Sequence, residues 1–148
     1  MNFDLNENQK MFREMVRDFA AKEIAPIAQQ MDEEAAMPDA LIARMRENGF
    51  FGLAFPEKYG GLGVDTLTYS LVVEELAKAS AGVCVMVTVH NSVGSYPLAM
   101  FGNEGVKERF LPRMAAGEIA AFCVSEAGSG SDAAGLQCTA KRDGDHYV

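Results

Sequence analysis

In the first part of the chain apolar side chains recur with the spacing of one helix face. Phe12, Met15, Val16, Phe19, Ile24, Ile27 and Met31 fit a helical period. Asn6 with Gln9 three positions later is a capping-box pattern. Together they predict a helix over 7–30, with Pro26, which has no backbone N–H to donate, bending it or ending its regular part. Pro38 suits the first turn of a second helix, with Leu41, Ile42 and Met45 as its buried stripe and Gly49 as its left-handed stop. The apolar run 50–56 predicts an extended segment, and the three glycines of 56–63 a turn-rich loop. Asp65 can cap a third helix carrying Leu67, Leu71, Val72 and Leu76. Small residues at 77–82 break the pattern.

The stretch 83–100 predicts a fourth helix, apolar on nearly every side in its first half. Such a helix is central, packed all round by its neighbours. Gly102 ends it, and Asn103 can cap a fifth helix carrying Val106, Phe110, Leu111 and Met114 and stopping at Gly117. Lys107, Arg109 and Arg113 sit toward the negative end of that helix dipole. After Gly117 the pattern changes. Residues 119–124 have the length of a buried strand, and Leu136, Cys138 and Ala140 alternate with polar residues at strand period. Asp143-Gly144 is a type I′ hairpin signal, with a return strand from His146. The expected architecture is mainly α: an all-α domain over 1–117, then the beginning of a β-domain over 118–148. A hairpin with no further strands reads as a fragment or a truncation.

Composition narrows the function. The chain has 148 residues, 49% of them apolar and 23% charged, which suits a globular domain. A net charge of −8 argues against nucleic acid and anionic membranes as partners, because both need a basic face. Cys84, Cys123 and Cys138 are odd in number and have no Cys-x-x-Cys spacing. They read as reduced thiols in an intracellular protein, with no disulfide framework and no metal site. The N-terminus has neither a signal core nor a transit-peptide pattern. The most apolar run, 81–89, is too short to span a bilayer.

The candidate chemistry lies in Cys-Val-Ser-Glu-Ala-Gly-Ser-Gly-Ser-Asp-Ala-Ala-Gly, residues 123–135. Its glycines and serines allow three readings. One is a flexible linker. Another is a dinucleotide fingerprint, Gly128-x-Gly130-x-x-Ala133, but that fingerprint opens a helix, whereas residues 136–141 alternate like a strand. The third is a loop whose backbone N–H groups and hydroxyls meet an anion or a flavin. A P-loop is excluded, since no Gly-Lys-Ser/Thr comes after the glycines.

All thirteen residues resemble the signature of the acyl-CoA dehydrogenase family. Other stretches resemble it in order and spacing: 3–9, Ala25-Pro26 with Asp32, the turn from Asn48, Pro-Glu-Lys-Tyr-Gly-Gly at 56–61, Glu-Glu-Leu-Ala at 74–77 and Phe-Gly-Asn-Glu at 101–104. The resemblance implies an N-terminal all-α domain, a middle β-domain and a C-terminal four-helix domain. It implies FAD as cofactor, acyl-CoA as substrate, trans-2-enoyl-CoA as product and electron-transfer flavoprotein as electron acceptor. A homo-oligomer is implied too, in a bacterial cytoplasm or a mitochondrial matrix. The family's catalytic base lies in the C-terminal domain, so no residue of this chain is assigned that role.

By the same resemblance the cofactor-binding segment is Phe122, Cys123, Val124, Ser125, Glu126, Ala127, Gly128, Ser129, Gly130 and Ser131. Val124 and Ser125 match the residues that meet the flavin ring edge, and Ser131 the one that meets the CoA part of the substrate. Phe122 stands where relatives often carry tyrosine, and Ala127 where proline is common. Val85, Met86, Val89 and Val93 match the helix that walls the acyl pocket. Several residues take plainer expectations. Glu126 and Asp132 cap local backbone N–H groups, His90 is structural, and Glu74-Glu75 is a solvated or capping pair. The competing function class is a non-catalytic helical interaction module.

Overall fold

The computed structural model describes residues 4–148, so the first three residues of the expected 1–117 domain lie outside the described residues. Among the described residues seven α-helices succeed one another: α1 Glu7–Phe19, α2 Ala28–Glu34, α3 Asp39–Glu47, α4 Thr66–Ala79, α5 Ala81–Val89, α6 Tyr96–Phe101 and α7 Glu104–Ala115. A two-residue hairpin, β1 Arg142–Asp143 and β2 His146–Tyr147, pairs antiparallel near the C-terminus.

Local chemistry explains most boundaries. Asn6 and Gln9 complete the capping box of α1. Asp65 accepts from the backbone of Leu67 and Thr68 to start α4, and Asn103 accepts from Val106 to start α7. The helix predicted over 7–30 is two helices. Around Pro26 the winding loosens to a π turn, Ala20–Ile24, and then tightens to a 3-10 turn, Ala25–Ile27. Pro38 stands just before α3, as its N-cap residue.

Gly49 at φ +73° and Gly117 at φ +96° end α3 and α7 in the same way. The N–H of Phe50 reaches Met45 O, and that of Glu118 reaches Arg113 O, closing Schellman motifs. Ala35 closes the end of α2 with the same bonds, yet holds φ +48° without being glycine.

The core is helical and lies between α1, α4 and α5, which pack in that order. Val16, Ile24, Met45, Phe50, Phe51, Leu76, Val83 and Val87 are buried in it. The run 50–56 is not extended. It folds into successive turns, Gly52 N–H to Gly49 O and Phe55 N–H to Gly52 O, which direct Phe50, Phe51, Leu53 and Phe55 inward. Gly61 lies so close to the Phe55 backbone that any Cβ there would collide with it.

One burial expectation fails on α4. Leu67 is exposed on α4, whereas Glu75 on the same helix is 3% exposed and so not a solvated group. Its carboxylate accepts from Arg13 Nε at 2.9 Å, Arg17 Nη2 at 3.0 Å and Lys78 Nζ at 3.1 Å. These cations, Arg17 first, hold its pKa down from 4.5 to about 2, against the desolvation that opposes charge. A buried carboxylate needs such partners, and they bolt α1 to α4.

Candidate functional site

The predicted fourth helix divides. α5 ends at Val89, a π turn His90–Gly94 comes next, and α6 begins at Tyr96. The turn widens the helix and puts His90, Asn91 and Ser95 inside the molecule. His90 Nε2 donates to Phe51 O at 2.9 Å, and its Nδ1 accepts the Ala120 N–H at 2.9 Å. Asn91 Nδ2 donates to Phe50 O at 2.9 Å and to Val87 O at 3.0 Å. The Ser95 hydroxyl donates to His90 O. Burial pushes the His90 pKa below 6.5, which keeps the ring neutral. The expectation of a structural histidine holds, while the roles of Asn91 and Ser95 carried no sequence signal.

From Ala120 the chain runs into the signature. Residues 119–124 are neither a strand nor buried: Phe122 is 50% exposed, and Ile119 and Val124 are exposed as well. A strand needs a hydrogen-bonded neighbour, and among the described residues none lies beside this segment. The backbone from 121 to 125 and the Ser125 hydroxyl make no hydrogen bond among the described residues. Cys123 is exposed too.

At Glu126 the order returns. Glu126 and Ser129 exchange both backbone hydrogen bonds, at 2.8 and 3.1 Å. The Glu126 carboxylate accepts from the N–H groups of Gln137 and Cys138, both at 2.9 Å, and these bonds lower its pKa. Glu126 therefore caps backbone as expected, but eleven and twelve residues away rather than locally. Ser129 is buried and its hydroxyl donates to Asp132 O. Ala127, Gly128, Gly130 and Ser131 are exposed.

A Cβ added at Gly128 or Gly130 would meet nothing within 4 Å, and neither glycine has positive φ. Nothing in the chain itself demands glycine at these two places. Leu136, Cys138 and Ala140 alternate but form no strand. The hairpin turn is Gly144-Asp145 rather than Asp143-Gly144. Only Gly144, at φ +62°, is positive, which is the type II′ pattern.

The acyl-wall set is split. Met86 is half-buried and packs against the core, Val89 is half-buried, and Val93 and Val85 are exposed, the latter at 57%. The helix α5 is thus covered on one side, by α4, rather than all round.

The sequence model of the acyl-CoA dehydrogenase N-terminal domain matches residues 6–118. The chain belongs to the acyl-CoA dehydrogenase family. An acyl-CoA dehydrogenase of Bacillus subtilis is 43% identical over 97% of this chain and 38% of its own length. A chain in a solved structure of the electron-transferring flavoprotein of Acidaminococcus fermentans superposes with a TM-score of 0.94 at 40% identity, over 100% of this chain and 39% of that one. An acyl-CoA dehydrogenase from Bacillus anthracis complexed with FAD superposes at 0.88, with 34% identity, over 98% of this chain and 25% of that one. The chain spans about two-fifths of the length of the curated relatives it matches. Among the described residues no helix is long and apolar enough to cross a membrane, and no cluster of three His, Cys, Asp or Glu could hold a metal.

Proposed function

We propose that these 148 residues form the N-terminal, flavin-facing part of an acyl-CoA dehydrogenase. The reaction is α,β-dehydrogenation of an acyl-CoA thioester to the trans-2-enoyl-CoA, with the electrons passing to electron-transfer flavoprotein. The supporting observation is the free edge at 121–125. There exposed apolar side chains alternate with backbone N–H groups that have no partner among the described residues. This mixture suits a flat ring with polar edges, and the two glycines that the chain's own packing does not require leave room for close approach. The residues present therefore fit FAD, which when bound supplies the two-electron acceptor for the substrate.

In this reading Phe122 and Val124 give apolar contact to the ring. The Ser125 hydroxyl and the Val124 backbone aim donors at the ring edge, where they favour developing negative charge. Cys123 and residues 126–130 carry the loop past the cofactor, and Ser131 meets the CoA part of the substrate. Val85, Val89 and Val93, with Met86 behind them, face the acyl chain. The carboxylate base belongs to none of these residues. The division into 1–117 and 118–148, a homo-oligomeric assembly, and a bacterial-cytoplasm or mitochondrial-matrix location belong to the same reading.

The test replaces the matching part of the Bacillus subtilis relative with this chain. The chimaera should retain FAD and reduce a dye with acyl-CoA. In it Ser125→Ala should weaken flavin binding or slow its reduction, and Ser131→Ala should raise KM. Each effect is about 10- to 100-fold, as for a lost hydrogen bond to a charged group. A chimaera that folds without FAD would favour the non-catalytic module, and variants within about twofold of the parent would overturn the serine roles. The 148-residue chain alone should neither retain FAD in equilibrium dialysis nor turn over acyl-CoA, because among the described residues no sheet covers the 121–125 edge.

A further inference from the structure

The free edge at 121–125 is useful only if something fixes where it leaves the helical body. Arg46 Nε donates to Gly117 O at 3.1 Å where α7 ends, and among the described residues one side chain bonds to the backbone of Ala120 itself. His90 is wholly buried, and its ring stands edge-on to Phe51 with centroids 5.2 Å apart. Its two nitrogens face opposite demands. Phe51 O can only accept, so Nε2 carries the proton. The Ala120 N–H can only donate, so in this contact Nδ1 accepts; the Met114 backbone also interacts with the ring. Together the Phe51 and Ala120 bonds favour the neutral ring protonated at Nε2.

A second contact sits beside the first. Gly94, in the same π turn, lies so close to Ala120 that an added Cβ would come within 2.9 Å of the Ala120 Cβ. The turn therefore offers Ala120 both an acceptor and a fitted recess. Asn91 ties the same turn to residues 50 and 54, so the recess is backed by the buried loop rather than by mobile surface.

We propose that His90 is a positioning residue: its ring links Phe51 to Ala120 and sets where the segment 121–125 departs from the helical body. The flavin part of this inference rests on the reading of that segment given above. The latch itself does not, and it can be measured without flavin. His90 touches no reacting atom and acts only through Ala120.

The experiment is amide hydrogen exchange and imidazole nitrogen spectroscopy on the 15N-labelled 148-residue chain at neutral pH. In the parent, the Ala120 amide should exchange far more slowly than those of Phe122 and Val124, and His90 should show a bare Nδ1 and a protonated Nε2. His90→Gln can still donate toward Phe51 O but loses the acceptor near Ala120. It should speed Ala120 exchange about tenfold or more relative to the Val87 amide in the same sample. His90→Asn keeps an oxygen near the Nδ1 position and should restore most of that protection. Gly94→Ala should crowd Ala120 out and speed its exchange with the His90 ring unchanged in identity. The proposal is overturned by a parent in which Ala120 exchanges as fast as Phe122, by the opposite tautomer, or by a His90→Gln variant in which Ala120 and Val87 change together. A chimaera without FAD beside an intact latch would sink the flavin reading and leave the latch standing.

Discussion

Residues 50–55 and 119–124 are two short apolar runs of similar composition, and they end in opposite environments. In the first, Phe50, Phe51, Leu53 and Phe55 are buried. In the second, Ile119, Phe122 and Val124 are exposed. The difference lies in what surrounds each run. Residues 50–55 come after a Schellman stop, turn at Gly52, pair with 62–64 and receive Asn91 from the π turn beyond α5. Residues 119–124 come after an identical stop at Gly117, but beyond Ala120 no backbone group among the described residues bonds to them. Apolar sequence makes burial favourable; partners for the backbone polar groups decide whether it happens.

The contrast can be broken most strongly at Phe51. Phe51→Ala empties a wholly buried site and should cost about 3–5 kcal/mol in urea unfolding. Phe122→Ala, in the exposed run, should stay within about 0.5 kcal/mol. Equal losses at the two positions would mean that 119–124 is packed in solution.

Glu75→Gln ranks second. It leaves Arg13, Arg17 and Lys78 without their shared charge and should destabilise by about 3 kcal/mol. The parent's pH dependence has a definite sign. The folded carboxyl lies below its unfolded value of 4.5, so its contribution is complete above that pH. It is lost as pH falls from 4.5 to about 2. Urea midpoints over that window should fall for the parent and change less for Glu75→Gln.

A smaller effect of opposite sign is expected at Ala35. Its φ of +48° carries a Cβ penalty that glycine avoids, so Ala35→Gly should raise stability by about 1 kcal/mol. The smallest global effect sharpens the picture of the second region. Glu126→Gln should leave the melting temperature within about a degree, since the loop it ties is outside the core. Amide exchange at Gln137 and Cys138 should nevertheless quicken, because a charged acceptor has been made neutral.

Helix starts and stops were legible because they rest on neighbours in sequence. Asn6, Asp65 and Asn103 cap as their spacing predicts, and Gly49 and Gly117 turn where only glycine turns cheaply. The family was legible as well, since the signature at 123–135 is contiguous. Less legible were the breaks inside long apolar stretches. A π turn at His90–Gly94 costs the pattern a single register shift, and periodicity over 83–100 does not register it.

The sequence by itself determined the helical body, its caps and the loop that carries the candidate chemistry, because each is written in residues a few positions apart. Tertiary structure alone decided that Glu75 is buried among three cations rather than solvated beside Glu74. It alone decided that 50–55 folds inward while 119–124 stays open, and that His90 spans Phe51 and Ala120. Lys78 with Glu75 apart, these outcomes depend on which backbone and side-chain groups meet across 30 to 62 residues of chain. A local pattern holds no record of such meetings; the packed neighbours create them.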